Sequence, residues 1–357
     1  MESIEEILLN ITKPDEVARS AAQRRWDSLA KPLGSLGLLE TAVTDIAALR
    51  GDAELRLDRR TLLVFCADNG VVRQGVTQCG SEVTAHVAVA LAEGRSSVSP
   101  MADVAKCEVL PVDMGILDFP GHPGVLDLRV QNGTGDISLG PAMSRESCLR
   151  ALESGAALAC RLAEEGTDIL LIGEMGIGNT TTAAAVTAAL LKLPPEAVAG
   201  RGAGLSDAGL ARKRAVISRA LSLNAADASD PIDVLAKLGG LDLAAMCGAF
   251  LGAAEARIPA VIDGFISAAA ALCAVRLCPA ARSAMLASHL SAEPAALAVQ
   301  QALSLKAPIS AGLRLGEGSG AVALLPLLDL ALAVYHSGQT FDKLGIAAYE
   351  PQDKTPC

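Results

Sequence analysis

The residues most able to do chemistry sit in Gly312-Leu-Arg-Leu-Gly-Glu-Gly-Ser-Gly320. There the one carboxylate, Glu317, stands between two glycines, three residues after Arg314. Glycines let a backbone turn sharply and approach a ligand closely. A lone carboxylate held in such a turn is a candidate general base. The apolar run Ala321 to Tyr335 follows at once, so a helix start behind the turn would offer free N–H groups to an anion. A tight solvated loop before a helix fits the same pattern. A second segment, Gly173-Glu-Met-Gly-Ile-Gly-Asn-Thr-Thr-Thr182, follows an apolar run and precedes the Ala-rich stretch Ala183 to Leu190. Strand, glycine-rich turn and helix start can cradle a phosphate on backbone N–H groups. No Lys follows its last glycine, so it is not a P-loop. Gly200-Arg-Gly-Ala-Gly-Leu-Ser-Asp207, leading to Arg212-Lys-Arg214, either covers the other side of an anionic ligand or is a flexible loop before a solvated basic helix. Two more polar loops are Ala67-Asp-Asn-Gly70 with Gln78 to Thr84, and Ser288 to Pro294. Within the latter, His289 is expected to cap a helix or sit in the core rather than act as an acid or base.

The elements that must position these loops are short apolar runs ending in an acid or glycine. They are Thr61 to Asp68, Cys107 to Asp113, Asp168 to Glu174, Pro259 to Gly264 and, more weakly, Ser283 to Ser288. Continuous apolar runs fit strands buried on both faces, and their spacing leaves room for crossover helices. The fold class expected is α/β, a Rossmann-like doubly wound, mostly parallel sheet with helices on both faces over about 60–330. Ligands of such sheets lie beyond the carboxyl ends of the strands. Asp68, Asp113, Glu174 and Asp263 all fall there, with about half of them expected only to cap the next helix. Residues 1–50 read as helices, Val17 to Leu29 and Leu38 to Leu49, around the loop Lys31 to Gly37. Gly115 to Asp136 reads as a connection or hairpin.

Composition narrows the function. The 357 residues are 51% hydrophobic but only 2% aromatic, which suits closely packed helices around a sheet. A formal net charge of −10 argues against a nucleic-acid surface. Nine cysteines without CxxC spacing and four dispersed histidines suggest reduced thiols, no zinc site and a cytoplasmic protein. The polar tail Glu350 to Cys357 is expected to be mobile. No signal core is seen, and the apolar stretches near 258–275 and 320–335 are interrupted by Asp263, Pro326 and Asp329, so no membrane span is expected. A paired-acid loop followed by TGxT, GxSxG, HExxH and DxDxDG are all absent, which disfavours a magnesium-dependent phosphoryl transferase.

Several segments together resemble the nicotinate-nucleotide–dimethylbenzimidazole phosphoribosyltransferases of cobamide lower-ligand synthesis. They are Leu29 to Glu40, Ala67-Asp-Asn-Gly-Val71, Gly173 to Thr181, Gly200-Arg-Gly-Ala-Gly204, Gly239-Gly240 with Ala244-Ala-Met246, Val261 to Phe265, Ser288 to Pro294 and Leu313 to Gly320. The resemblance implies transfer of the 5-phosphoribosyl group of nicotinate mononucleotide to a benzimidazole, purine or phenolic base, releasing nicotinate, with no metal and no cofactor. It implies a large α/β domain (56–334), a small helical domain from both chain ends (1–55 and 335–357) and a homodimer, or a heterodimer with a paralogue. A chain that only supports an active paralogue is the alternative. Under this resemblance Glu317 is the base and Glu174 a second polar contact. Gly176, Gly178, Asn179 and Thr180 hold phosphate or ribose, with Gly202, Gly204, Lys213 and Arg314 as further phosphate or carboxylate contacts. Ser81, Asn69, Met175 and Leu315 belong to the acceptor pocket. Asn69 stands where the family often has His, and Gly94-Arg-Ser-Ser97 where it commonly has Gly-Gly-Ala-Ala. These departures bear on which base is accepted.

Overall fold

The computed structural model describes residues 3–350, so Cys357 and most of the polar tail lie outside the described residues. Six strands form one parallel sheet: β1 (Arg60–Ala67), β2 (Glu108–Gly115), β3 (Leu126–Asp127), β4 (Ile169–Met175), β5 (Ala260–Ile262) and β6 (Met285–Ala287). Their order, β3-β2-β1-β4-β5-β6, is that of a doubly wound sheet. Five strands coincide with the apolar runs of the sequence. The sixth, β3, falls inside Gly115 to Asp136, where a connection or hairpin was expected. It pairs in parallel with Val112 and Asp113 of β2, so the segment makes an edge strand and no hairpin with β2.

The helices are α1 (Ile4–Asn10), α2 (Glu16–Ser28), α3 (Leu38–Arg50), α4 (Glu82–Ala92), α5 (Ser99–Val104), α6 (Arg145–Glu164), α7 (Asn179–Leu191), α8 (Pro195–Val198), α9 (Asp207–Asn224), α10 (Pro231–Leu238), α11 (Leu241–Glu255), α12 (Phe265–Leu277), α13 (Ala296–Ala302), α14 (Ser319–His336) and α15 (Phe341–Leu344). Alternate strand residues feed two cores, as the two-residue period of a strand requires. Leu63, Phe65, Leu170 and Ile172 meet α6, α7, α11 and α12, whereas Leu62, Val64, Ile169 and Leu171 meet α2, α3 and α14. The two chain ends touch: Trp26 and Tyr335 pack with their rings tilted by 57° at 5.0 Å between centroids, and Leu29 bridges Thr340. By length and composition α14 could cross a bilayer, but 56% of that span is buried in the fold and its Asp329 pairs with Arg60.

Small residues set the spacing behind the sheet. A Cβ on Gly155 of α6 would lie 2.0 Å from the carbonyl oxygen of Ala245 on α11. One on Gly248 would lie 1.8 Å from that of Leu152, and one on Gly252 2.3 Å from that of Ala156. The two helices therefore meet backbone to backbone, which an aromatic-rich layer would not permit. That contact fixes where α11 starts, next to the carboxyl ends of the strands.

Candidate active site

A cavity of about 280 Å³ opens beyond the carboxyl ends of β4, β5 and β6. Its walls are the loops around Gln78, Gly176, Gly202, Gly264, His289 and Gly316. The Gly176, Gly264 and His289 loops directly follow β4, β5 and β6, whereas the Gly202 loop joins α8 to α9.

The glutamate turn forms one wall. Gly316, Glu317 and Gly318 all have positive φ, at 88°, 58° and 81°. For Glu317 this left-handed conformation is unfavourable by roughly 1–2 kcal/mol. Three contacts impose it. Gly173 of β4 presses from below, where a Cβ would lie 2.7 Å from the Gly318 nitrogen. The Glu317 carboxylate accepts the Val98 N–H at 3.2 Å. Asp263, buried at the end of β5, accepts from the amides of Gly318 (3.2 Å), Gly320 (2.7 Å) and Ala321 (3.1 Å). The N–H groups at the start of α14, expected to be free for an anion, are thus taken by Asp263. A buried helix start needs acceptors, and here the neighbouring strand supplies them.

Glu174 lies opposite, buried, with Oε1 against the backbone of Gly316. Asn179 donates through its amide nitrogen to Glu174 and, at 3.1 Å, to Asp242 in the first turn of α11. Burial raises the Glu174 carboxyl to about 8, reinforced by the charges of Asp242, Asp263 and Glu317 and opposed by the Asn179 hydrogen bond. Burial likewise raises Asp242 to about 6, against the hydrogen bonds it accepts from Asn179 and backbone amides. Burial thus favours the protonated form of Glu174, which can donate a hydrogen bond.

The far end of the cavity presents backbone amides at a helix start. Gly178 caps α7 in a left-handed conformation, φ 96°. The Ile177 and Asn179 amides have protein acceptors, but those of Gly178 and Thr180 have none among the described residues. Gly202 and Gly204 hold the facing loop in left-handed turns, and Gln78 ties that loop to the 76–79 segment through the Ala203 carbonyl at 3.0 Å. Behind Thr180 lies Lys213, fully buried, its ammonium donating to the Thr180 hydroxyl at 2.8 Å. Burial pulls that ammonium down to about 8, only partly offset by the charge of Glu293. Lys213 is thus a buried cation whose hydrogen-bond partner is neutral and whose charged neighbour is Glu293.

A family model described as phosphoribosyltransferase matches residues 11–346. The chain belongs to this phosphoribosyltransferase family. The nicotinate-nucleotide–dimethylbenzimidazole phosphoribosyltransferase of Acetivibrio thermocellus is 42% identical over 330 residues, covering 92% of this chain and 94% of its relative. That of Chloroflexus aggregans is 44% identical over 334 residues, covering 93% and 95%. The crystal structure of CobT from Thermus thermophilus superposes with a TM-score of 0.88 at 41% identity, over 93% of this chain and 100% of that one.

In this phosphoribosyltransferase the cavity gathers Glu317, Glu174, Met175, Gly176, Gly178, Asn179, Thr180, Gly202, Gly204, Arg314 and Leu315 from the residues singled out in the sequence. Lys213, Ser81 and Asn69 do not line it. Lys213 acts from behind Thr180, and Ser81 stands at the start of α4, just past the lining Cys79. Asn69 is buried, donating to the Ile177 carbonyl at 3.4 Å, so it props the phosphate-type loop from beneath instead of facing an acceptor. The side-chain nitrogen of Asn179, expected on phosphate or ribose, is engaged by the two carboxylates. Of the four strand-end acids, Glu174 and Asp263 reach the cavity. Asp68 holds Thr84 and Leu117, and Asp113 holds Arg129 and the Gly115 and Ile116 amides.

Two residues were not anticipated at the site. Asp242 stands behind the wall, bonded to Asn179, and the glycine pair Gly239-Gly240 two residues before it was its one signal. His289, expected as a cap or core residue, is a buried wall of the cavity, bonded to Ser288 Oγ at 3.1 Å. Its ring lies against Gly320, where a Cβ would meet Nδ1 at 1.9 Å. Burial pushes Asp263 up and His289 down, each opposed by the other's charge.

Proposed function

We infer that the chain transfers the 5-phosphoribosyl group of nicotinate mononucleotide to a ring nitrogen of a benzimidazole-type lower-ligand base, releasing nicotinate, in cobamide biosynthesis. The observation that carries this reading is the pairing of the α7 start, with its unpaired amides, and the half-buried Glu317 across one cavity. The phosphate is read as seated on the α7 start and the 200–205 loop, with Lys213 neutralising it through Thr180. Arg314, exposed at the mouth, suits the nicotinate carboxylate. The acceptor lies between Met175 and Leu315, whose apolar surfaces suit a flat ring.

The mechanism follows from those positions. The lone pair of the unprotonated azole nitrogen forms a bond to C1′ as the bond from C1′ to the pyridinium nitrogen breaks, and that electron pair leaves with nicotinate. Attack from the opposite face gives the α configuration. The other azole nitrogen loses its proton to Glu317. Nicotinate departs without an acid because its nitrogen is already cationic. Positive charge develops on the ribose, and Glu317 stabilises it. Neutral Glu174 supplies a hydrogen bond. A phenolic acceptor would lose its O–H proton to the same base.

The test is to incubate the pure chain with nicotinate mononucleotide and 5,6-dimethylbenzimidazole and follow nicotinate release. No release with any benzimidazole, purine or phenol refutes the reading. Glu317→Gln should lower kcat by about 10²–10⁴, the usual contribution of a general base. We also read the protein as cytoplasmic and homodimeric, a paralogous partner being the other option. The exposed Leu330 and Val334 on α14 are consistent with a subunit contact. The Trp26–Tyr335 ring contact supports grouping the two chain ends as one small helical unit.

A further inference from the structure

We propose that Asp263 is a positioning residue for the transfer, holding Glu317 in its left-handed turn through the three amides at the start of α14. The inference rests on the reading of Glu317 as the base. Helix α14 has no side-chain cap of its own, because its cap position is Gly318. A buried helix start must find acceptors elsewhere. Asp263 provides two oxygens to three donors: Gly318 at 3.2 Å, Gly320 at 2.7 Å and Ala321 at 3.1 Å. Gly318 directly follows Glu317, so the first of these bonds fixes the backbone on which the base is carried. A non-glycine residue stays left-handed only when its surroundings over-determine it.

Asp263 is itself immobile. Ser288 Oγ donates to its carbonyl at 2.9 Å and to that of Ile262 at 2.7 Å, and its own N–H donates to Ser267 Oγ at 3.3 Å. On the far side His289 rests against Gly320 and closes the pocket in which the carboxylate lies. Both Asp263 oxygens are spent on amides, so the side chain acts through the turn although it borders the cavity. Its replacement should alter where the base points, not whether substrate binds.

The experiment is a double-mutant cycle on the full chain, with nicotinate release as the assay. In Asp263→Asn the amide keeps one oxygen for Gly320 and Ala321 but turns an NH2 group toward the Gly318 N–H. We expect kcat to fall at least about ten-fold, with KM for nicotinate mononucleotide changed less than about three-fold. In the Glu317→Gln background the same substitution should change kcat less than about three-fold, since contacting residues acting through one group are not additive. An Asp263→Asn enzyme with wild-type kcat, or an equal loss in both backgrounds, overturns the proposal. Should that variant fail to fold, Asp263→Glu enters the same cycle. It keeps the charge but adds a methylene, so a positional role predicts the same loss and a purely electrostatic role predicts none. A wild type that releases no nicotinate, or a Glu317→Gln enzyme at full speed, sinks the underlying reading and the proposal with it. An active wild type and a crippled Glu317→Gln enzyme, with no coupling between the two positions, sink the proposal alone.

Discussion

Gly173→Ala is the most direct probe of how the base is held. In the native chain a Cβ at 173 would lie 2.7 Å from the Gly318 nitrogen, 2.8 Å from its Cα and 3.1 Å from the Glu317 carbonyl carbon. Ordinary contact begins near 3.4 Å, so the closest atom must retreat by about 0.7 Å. Every one of these atoms is backbone, and no side chain can rotate out of the way. Strand β4 is in register with β1 on one side and β5 on the other, so the turn yields rather than the strand. The bond from Gly318 to Asp263 stretches with it. Misplacement of a reacting group by about 1 Å can cost 10²-fold, which predicts a fall in kcat of roughly 10- to 100-fold. Overpacking of this kind also lowers stability by about 1–3 kcal/mol. The phosphate end lies across the cavity at α7, so KM for nicotinate mononucleotide should change less than about three-fold. Steady-state nicotinate release and urea denaturation measure all three. A kcat within two-fold of wild type, or a raised KM at unchanged kcat, would refute the idea that this backbone contact aims the base.

Two further outcomes follow from the buried charges. Inorganic phosphate should raise the melting temperature of the wild type but not of Lys213→Met. That substitution should also raise KM for nicotinate mononucleotide about ten- to 100-fold, roughly the 1.5–3 kcal/mol of a charged hydrogen bond; a phosphate-stabilised Lys213→Met would place the anion elsewhere. Glu174 titrates near 8 when folded and near its usual 4.5 when unfolded. Between those values the unfolded chain holds fewer protons, so stability falls as pH rises. Glu174→Gln removes the proton equilibrium, and its stability relative to wild type should grow from pH 5 to pH 8 by up to a few kcal/mol, at about 1.4 kcal/mol per unit. A difference that stays flat across that range would contradict a proton held by burial.

The sequence made the frame legible because parallel strands buried on both faces cannot hide: Thr61 to Asp68 and Asp168 to Glu174 are apolar throughout their interiors. It concealed β3 because a two-residue edge strand needs no apolar run, only a backbone alongside Val112 and Asp113. Glu317 and the Gly173 to Thr182 loop stood out through their glycines, whose turns and close approaches the structure uses. Asp263 looked like any strand-end acid, and nothing local announces that its partners lie far along the chain, at Gly318 to Ala321. Asn69 misled in the opposite way. Its loop does reach the site, but its side chain faces inward, and one-dimensional spacing carries no information about that choice.

The backbone-to-backbone seam between α6 and α11 bears on how the acceptor range can change over evolutionary time. Asp242, in the first turn of α11, holds Asn179 of the cavity wall, and Gly155, Gly248 and Gly252 leave no slack by which that helix could slide outward or swing. The support behind that wall is therefore inextensible. Room for a bulkier or smaller ring has to come from the rim, the partly exposed loops around Gln78, Gly202 and Leu315. Divergence in base preference should accumulate as rim substitutions on an unchanging support. A library aimed at new acceptors would gain more from those loops than from any helix behind the sheet.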